Sequence, residues 1–353
     1  MDAATAVQAD GAQVLRMLRG AVAQRGLGQL ADKLAEAERY AASDLAACAE
    51  DFARVRVDEA GPVGPSANHL VSLGGKRLRP LCVALSARTG SGFGAAGRHV
   101  AVAAEFVHSA TLLHDDVVDV GDSRRGAPTA RVVYGNAASI FAGDWLLVAA
   151  LRHVRMAGLP GLFDSLLGTL EAMIGAESLQ LHSRGNLAAD RATYLRIADG
   201  KTASLFAWCC AGGARAGGAD DAQAAALGAY GQKLGLAFQL VDDVLDYGGR
   251  PEETGKALFT DLREGKPTFP LLVALERRPQ LVRLLEPLLH GEDVPGLHAD
   301  VATQVVESGA LEETRRFAAE QAEGAIAQLS ILNDSAARTA LETLAYAVVH
   351  RFA

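Results

Sequence analysis

Aromatic side chains are scarce in this sequence: Phe, Tyr and Trp together make up 5% of its 353 residues. A core built with so few of them must come mainly from Ala, Leu and Val, which favours closely packed helices over a sheet sandwich. Cysteine is scarcer still. Cys48, Cys82, Cys209 and Cys210 show no metal-ligand spacing, and an adjacent pair is a poor start for a disulfide framework, so they read as reduced core residues of a cytoplasmic chain. Positive charge is in deficit, with a net charge of −8. Without a basic tail or a basic-aromatic stripe, nucleic acid is not an expected partner. No apolar run approaches the roughly 18 residues of a membrane span, and "MDAATAVQADG" lacks the basic start and apolar stretch of a signal peptide.

What is present points to a folded, helical chain. Half of the residues are hydrophobic and 22% are charged, enough apolar material for a large core. In "ALGAYGQKLGLAFQLVDDVLDY", Leu227, Tyr230, Leu234, Phe238, Val241 and Leu245 recur at three- and four-residue steps, the period of an amphipathic helix. Turn-forming stretches at 58–65, 87–97, 121–129, 157–161, 214–221 and 247–256 cut the chain into long helices, and no series of alternating strands is found. Asp334 or Ser335 is expected to cap a last helix. The expected class is all-α, a single-domain helical bundle.

Charge is concentrated in two places within apolar surroundings. "TLLHDDVVDV" carries Asp115, Asp116 and Asp119, and "QLVDDVLDY" carries Asp242, Asp243 and Asp246 with the same spacing. First and last aspartates four residues apart share one helix face, about 6 Å along the axis. Like charges one turn apart repel, and desolvating them is costly, so each cluster calls for a cation. Mg²⁺ typically takes one or two carboxylates and completes its shell with water and phosphate oxygens. If the helices face each other, two acidic walls would hold metal ions bridged by a polyphosphate.

Phosphate needs cationic help as well. "LGGKRLRP" places Lys76, Arg77 and Arg79 after a glycine pair and before a helix beginning near Pro80, where backbone approach and a helix N-terminus suit an anion. Arg124 and Arg125 follow the first aspartates closely. His108 lies almost two turns before Asp115, on the same face.

The ordered set "GGKRLRP", "LLHDDVVD" with "SRRG", "GKTASLF", "FQLVDDVLDY" and "GKPTFP" resembles the trans-isoprenyl diphosphate synthases, in particular the long-chain polyprenyl (octaprenyl, solanesyl or decaprenyl) type. The resemblance runs from about residue 45 to the C-terminus, so residues 1–44 are expected to be an N-terminal helical extension and 45–353 the catalytic domain. It implies a helical bundle around a deep cavity, usually a homodimer, with three Mg²⁺ ions clamping an allylic diphosphate such as farnesyl or geranylgeranyl diphosphate. Asp115, Asp119 and Asp242 would be metal ligands, supported by Asp116, Asp243 and Asp246. Lys76, Arg79, His108 and Arg125 would hold isopentenyl diphosphate. Arg124, Lys201, Thr202, Gln239, Lys256 and Lys266 would hold the allylic partner, with Lys201, Thr202 and Gln239 lining the reacting end. The reaction implied is ionisation of the allylic diphosphate, attack by the double bond of isopentenyl diphosphate, and loss of a proton. Release of an apolar product implies peripheral contact with a membrane.

Product length is also addressed by the resemblance, because a bulky residue four or five places before the first aspartate stops elongation in this family. Ala110 and Thr111 stand there, so a long product of roughly eight to ten isoprene units is expected. One departure is Phe259, in "FTDLREGK", where the family usually has glycine; a bulky side chain there would reshape the loop that closes over substrate. Competing expectations are a short-chain synthase, a class I terpene cyclase, a metal phosphohydrolase suggested by the pair His114–Asp115, and a non-catalytic subunit of a heteromeric synthase. The cyclase has no use for "GGKRLRP", the hydrolase lacks further dispersed histidines, and a non-catalytic subunit would be expected to lose aspartates.

Overall fold

The computed structural model describes residues 13–54, 57, 61–75, 77–124, 126–186, 188, 190–248, 259–289 and 296–351. Helices occupy most of them: α1 (Gln13–Ala23), α2 (Gly28–Arg54), α3 (Val63–Ser72), α4 (Leu78–Ala87) and α5 (Ala95–Val118) come first. A hairpin of two-residue strands, β1 (Ser123–Arg124) and β2 (Ala127–Pro128), precedes α6 (Ala130–Tyr134), α7 (Asn136–Ala157) and α8 (Leu162–Ser183). Then follow α9 (Arg191–Ala198), a π-helical turn at Asp199–Ala203, α10 (Ser204–Ala216) and α11 (Asp221–Gly248). The chain continues with α12 (Thr260–Arg263), α13 (Phe269–Arg277), α14 (Val282–Leu289), α15 (Leu297–Glu307), α16 (Ala310–Gln328) and α17 (Ala336–His350). Two compact units result, one from Met1–Phe163, Cys209–Ala224 and Leu332–Thr343, the other from Asp164–Trp208, Ala225–Ile331 and Leu344–Ala353.

In the first unit α7 lies along α5. Its buried face is mostly small, with Ala138, Ser139, Ala142, Gly143 and Ala150 beside Leu146 and Val154, which lets the helices approach closely. A Cβ on Gly143 would fall 2.4 Å from Nε2 of His114, so the imidazole is seated against bare backbone. The α7 helix is, among the described residues, long and apolar enough to cross a membrane, with mean hydropathy 1.3. The sequence reading found no such run; here nearly half of the helix serves as core. On the other side α2 runs unbroken through residue 44 and is tied down by ion pairs of Asp44 with Arg88 and Asp51 with Arg98. Close backbone contact recurs between α4 and the second half of α10 with the glycine that follows it. A side chain at Gly213 or Gly217 would meet the carbonyl oxygens of Val83 or Ala87 at 2.4 and 2.1 Å. The four cysteines are free and buried, as expected, and a hydrogen bond with Cys210, then burial, push the Cys82 thiol up.

The second unit is organised on α11, where Leu227, Tyr230, Leu234 and Val241 are buried, in line with their helical spacing. Gly235 admits the neighbouring backbone, since a Cβ there would lie 2.6 Å from the Cα of Ala203. Phe269, at the start of α13, stacks on Phe317 with centroids 5.3 Å apart, and Leu240, Leu272, Val301 and Ala318 complete a buried apolar cluster around it. Of the two expected caps for the last helix, Ser335 serves: its hydroxyl accepts the Arg338 N–H at 3.2 Å. The hairpin β1–β2 was not anticipated. Two residues per strand leave no alternation to read.

Candidate active site

The aspartates of the first cluster end α5 and differ in setting. Asp115 and Asp119 are half-buried, whereas Asp116 is 2% exposed. Burial of a carboxylate needs a partner, and Asp116 has one: its Oδ1 accepts Nε of Arg124 at 2.8 Å and lies 2.7 Å from Nη2. The pair draws the hairpin back onto the helix it follows, and Thr129 Oγ1 fastens the other strand to the Gly121 carbonyl at 2.7 Å. Arg124, expected to face a diphosphate, is therefore already engaged through two of its nitrogens. One turn before the cluster, Ala110 is fully buried and Thr111 half-buried, its hydroxyl donating to the His108 carbonyl at 2.9 Å. His108 is itself half-buried.

The basic turn before α4 divides its labour. Arg77 adopts a left-handed backbone, φ 52°, and is buried, with Nη1 2.8 Å from Glu105 and its guanidinium 4.2 Å above the Phe52 ring. It anchors the turn to α5 and α2. Arg79, one residue into α4, is half-buried. Lys76, Arg125 and Lys256 lie outside the described residues.

In the second unit the aspartates of α11 repeat this division with other partners. Asp243 is 1% exposed, accepts Gln239 Nε2 at 2.9 Å and the Phe269 N–H at 3.1 Å, and so welds α11 to the start of α13. Burial, then the charge of Asp261, push its carboxyl up to about 7, against the pull of its hydrogen bonds. Asp246 accepts the N–H groups of Thr260 at 2.9 Å and Asp261 at 3.2 Å, capping α12. Asp242 is the outward member, its side chain 41% exposed and 2.5 Å from Nη2 of Arg351.

Lys201 and Thr202 sit on the π-helical turn, an irregularity that often marks functional positions. The turn is pressed on α8 because Gly200 has no side chain; a Cβ there would lie 2.7 Å from Ala176. Lys201 Nζ is 2.5 Å from Glu177, and Thr202 donates to Gln239 Oε1 at 2.9 Å. Thr202, Gln239 and Asp243 thus form one chain of hydrogen bonds. Lys266 Nζ lies 2.5 Å from Glu264. Phe259 takes the left-handed backbone, φ 63°, that glycine would adopt freely, with its ring 6.4 Å from that of Tyr247. Sequence reasoning missed Glu105, Glu177, Arg351 and the buried role of Arg77. Only Gly74, with φ 68°, offered a local hint of an unusual turn before Arg77.

The outward donors, Asp115, Asp119 and Asp242, are all carboxylate oxygens, the donor type that hard divalent cations take. Among the described residues no three His, Cys, Asp or Glu side chains converge on one point.

Comparison with known proteins bears on this arrangement. The family model described as polyprenyl synthetase matches residues 63–302. The octaprenyl diphosphate synthase of Escherichia coli strain K12 is 37% identical over 284 residues, covering 80% of this chain and 88% of that protein. Among solved structures, a polyprenyl synthase from Caulobacter crescentus CB15 complexed with calcium and isoprenyl diphosphate is 37% identical, with TM-score 0.86, covering 90% of this chain and 98% of that one. A decaprenyl diphosphate synthase from Rhodobacter capsulatus is 36% identical, with TM-score 0.83 and the same coverage. An all-α chain with two five-residue aspartate motifs, similar over most of its length to such proteins, belongs to the polyprenyl synthetase family and is a prenyl-transferring enzyme.

Proposed function

We propose that this enzyme condenses an allylic diphosphate with successive molecules of isopentenyl diphosphate to give a long all-trans polyprenyl diphosphate. The observation that carries the reading is the shared division of the two aspartate motifs: a buried carboxylate fixes each helix end while Asp115, Asp119 and Asp242 remain partly exposed.

Asp115, Asp119 and Asp242 would hold Mg²⁺, three ions in all, which when bound supply Lewis acidity that weakens the allylic carbon–oxygen bond. Asp116, Asp243 and Asp246 support them by fixing backbone. Arg124, Lys201, Lys256 and Lys266 neutralise the departing diphosphate, and Thr202 and Gln239 orient the reacting end. Lys76, Arg79, His108 and Arg125 bind isopentenyl diphosphate, so that its double bond meets the allylic carbon as the carbon–oxygen bond breaks. The cationic adduct then gives one proton to the released diphosphate, which leaves a neutral hydrocarbon chain five carbons longer. No protein nucleophile enters. The chain's task is to orient, to stabilise charge and to exclude water.

Ala110 and Thr111 support a long product, since neither is bulky. A homodimer is supported by exposed apolar residues on separate helices: Leu167, Ile174 and Leu181 at seven-residue steps on α8, and Phe141, Val148 and Met156 on α7. A cytoplasmic location with peripheral membrane contact for product release fits the reduced cysteines and the apolar product.

Incubation of the purified protein with Mg²⁺, labelled isopentenyl diphosphate and farnesyl or geranylgeranyl diphosphate, followed by sizing of the dephosphorylated lipids, decides the matter. Chains of about 40–50 carbons are expected from eight to ten five-carbon units. Products ending at 15 or 20 carbons would refute the long-chain reading, and a cyclic hydrocarbon would revive a cyclase.

A further inference from the structure

Asp242, the open aspartate of the second motif, is held by a side chain from far along the sequence. Arg351, just past the end of α17, reaches it with Nη2 at 2.5 Å, and the same nitrogen donates to the Phe238 carbonyl at 3.2 Å. The guanidinium carbon lies 4.2 Å above the Phe238 ring. Phe238 and Asp242 are four apart on α11, so one face of the helix supplies a ring, a carbonyl and a carboxylate to a single planar cation. Arg is suited to such a three-sided seat, because its plane stacks while its edge donates. Exposure is unequal: the Arg351 side chain is 9% exposed and that of Asp242 41%. A cation from solvent can therefore approach the carboxylate while the arginine stays covered.

We infer that Arg351 is a latch on Asp242, occupying the carboxylate until a divalent cation displaces it, so that the second motif is held in reserve before metal and substrate arrive. The inference rests on the reading of Asp242 as a metal ligand. Two cations competing for one carboxylate are linked: apparent metal affinity falls by the fraction of molecules in which the carboxylate is free. The strength of a charge-assisted contact of this kind corresponds to roughly a tenfold change in that affinity.

The decisive measurement is Mn²⁺ binding to the full chain without substrate, titrated by electron paramagnetic resonance. Arg351→Gln removes the charge but keeps a donor for the Phe238 carbonyl, and should bind Mn²⁺ about tenfold more tightly. Arg351→Lys keeps the charge and should bind nearly as the parent does. Phe238→Leu removes the ring beneath the guanidinium and should tighten binding about two- to threefold. It serves as the second arm should Arg351→Gln fail to fold. The latch is overturned if Arg351→Gln, or Phe238→Leu in its place, leaves affinity unchanged or weakens it, or if the gain survives in a double variant with Asp242→Asn. If Asp242→Asn alone leaves Mn²⁺ binding untouched, the assignment of Asp242 as a ligand fails first, and the latch with it.

Discussion

The two aspartate motifs have the same spacing and opposite means of support. At the end of α5, buried Asp116 is held by an arginine eight residues on, in the adjoining hairpin. On α11, buried Asp243 is held by neutral donors, the Gln239 amide and a backbone N–H. The difference appears in the carboxyl groups themselves, since Asp243, without a cation beside it, is pushed up to about 7. Its outward neighbour has the arginine instead. A motif read as five letters is thus two devices: in the first the cation braces the inner carboxylate, in the second it covers the outer one.

The largest expected effect tests whether the outward aspartates are equivalent in catalysis. Asp115→Ala and Asp242→Ala should each lower kcat/KM on the order of a thousandfold or more, because loss of several kcal/mol of Lewis-acid stabilisation costs about tenfold per 1.4 kcal/mol. Asp242→Ala also leaves the Arg351 guanidinium, whose side chain is 9% exposed, without its carboxylate, and should melt several degrees below the parent. An unchanged melting temperature would mean that the arginine does not brace the second motif.

Next in size is a change confined to the first motif's helix. Ala110→Phe together with Thr111→Phe should leave condensation active while shortening the product, seen by sizing the lipids. An unchanged product would place the length limit elsewhere. The inner carboxylates should then differ in stability: Asp116→Asn, which weakens a buried charged pair, should cost about 2 kcal/mol, and Asp243→Asn, which loses one acceptor for a neutral donor, about 1 kcal/mol, both by urea denaturation.

The smallest effect concerns acid, and it guards the others against misreading. His153 on α7 has its Nδ1 3.1 Å from that of His99, and burial together with His99 lowers its pKa. A histidine whose folded pKa is depressed binds its proton more readily when unfolded. Its neutral form therefore contributes stability that is full above the unfolded value near 6.5 and lost as pH falls below it. His153→Gln should flatten the decline in stability as pH falls below about 6.5, as followed by urea denaturation at a series of pH values. Activity lost in that range but kept in the variant would belong to folding, not to the site.

Helix periodicity made the architecture legible, and Leu227, Tyr230, Leu234 and Val241 are buried as their spacing predicts. The repeated aspartate spacing pointed to the donors. What escaped was whatever depends on contact across the chain. Arg77 reads as one more phosphate-binding cation, yet Glu105 on α5 and the Phe52 ring claim it, a fact no local pattern carries. Arg351 is 109 positions from Asp242. The π-helical turn at Asp199–Ala203 comes from one extra residue per turn, which no short apolar period reveals. Phe259 was marked as a departure, but only the backbone explains its character.

At Phe259 the main chain occupies the mirror-image basin, at a cost of roughly 1–2 kcal/mol for a residue with a Cβ, and its aromatic ring packs near Tyr247. Replacement by glycine would relax the peptide while surrendering the ring, two opposing free energies of similar size. Evolution can therefore tune the stiffness of this approach to the second motif in small steps, trading tension in the backbone against adhesion of the side chain.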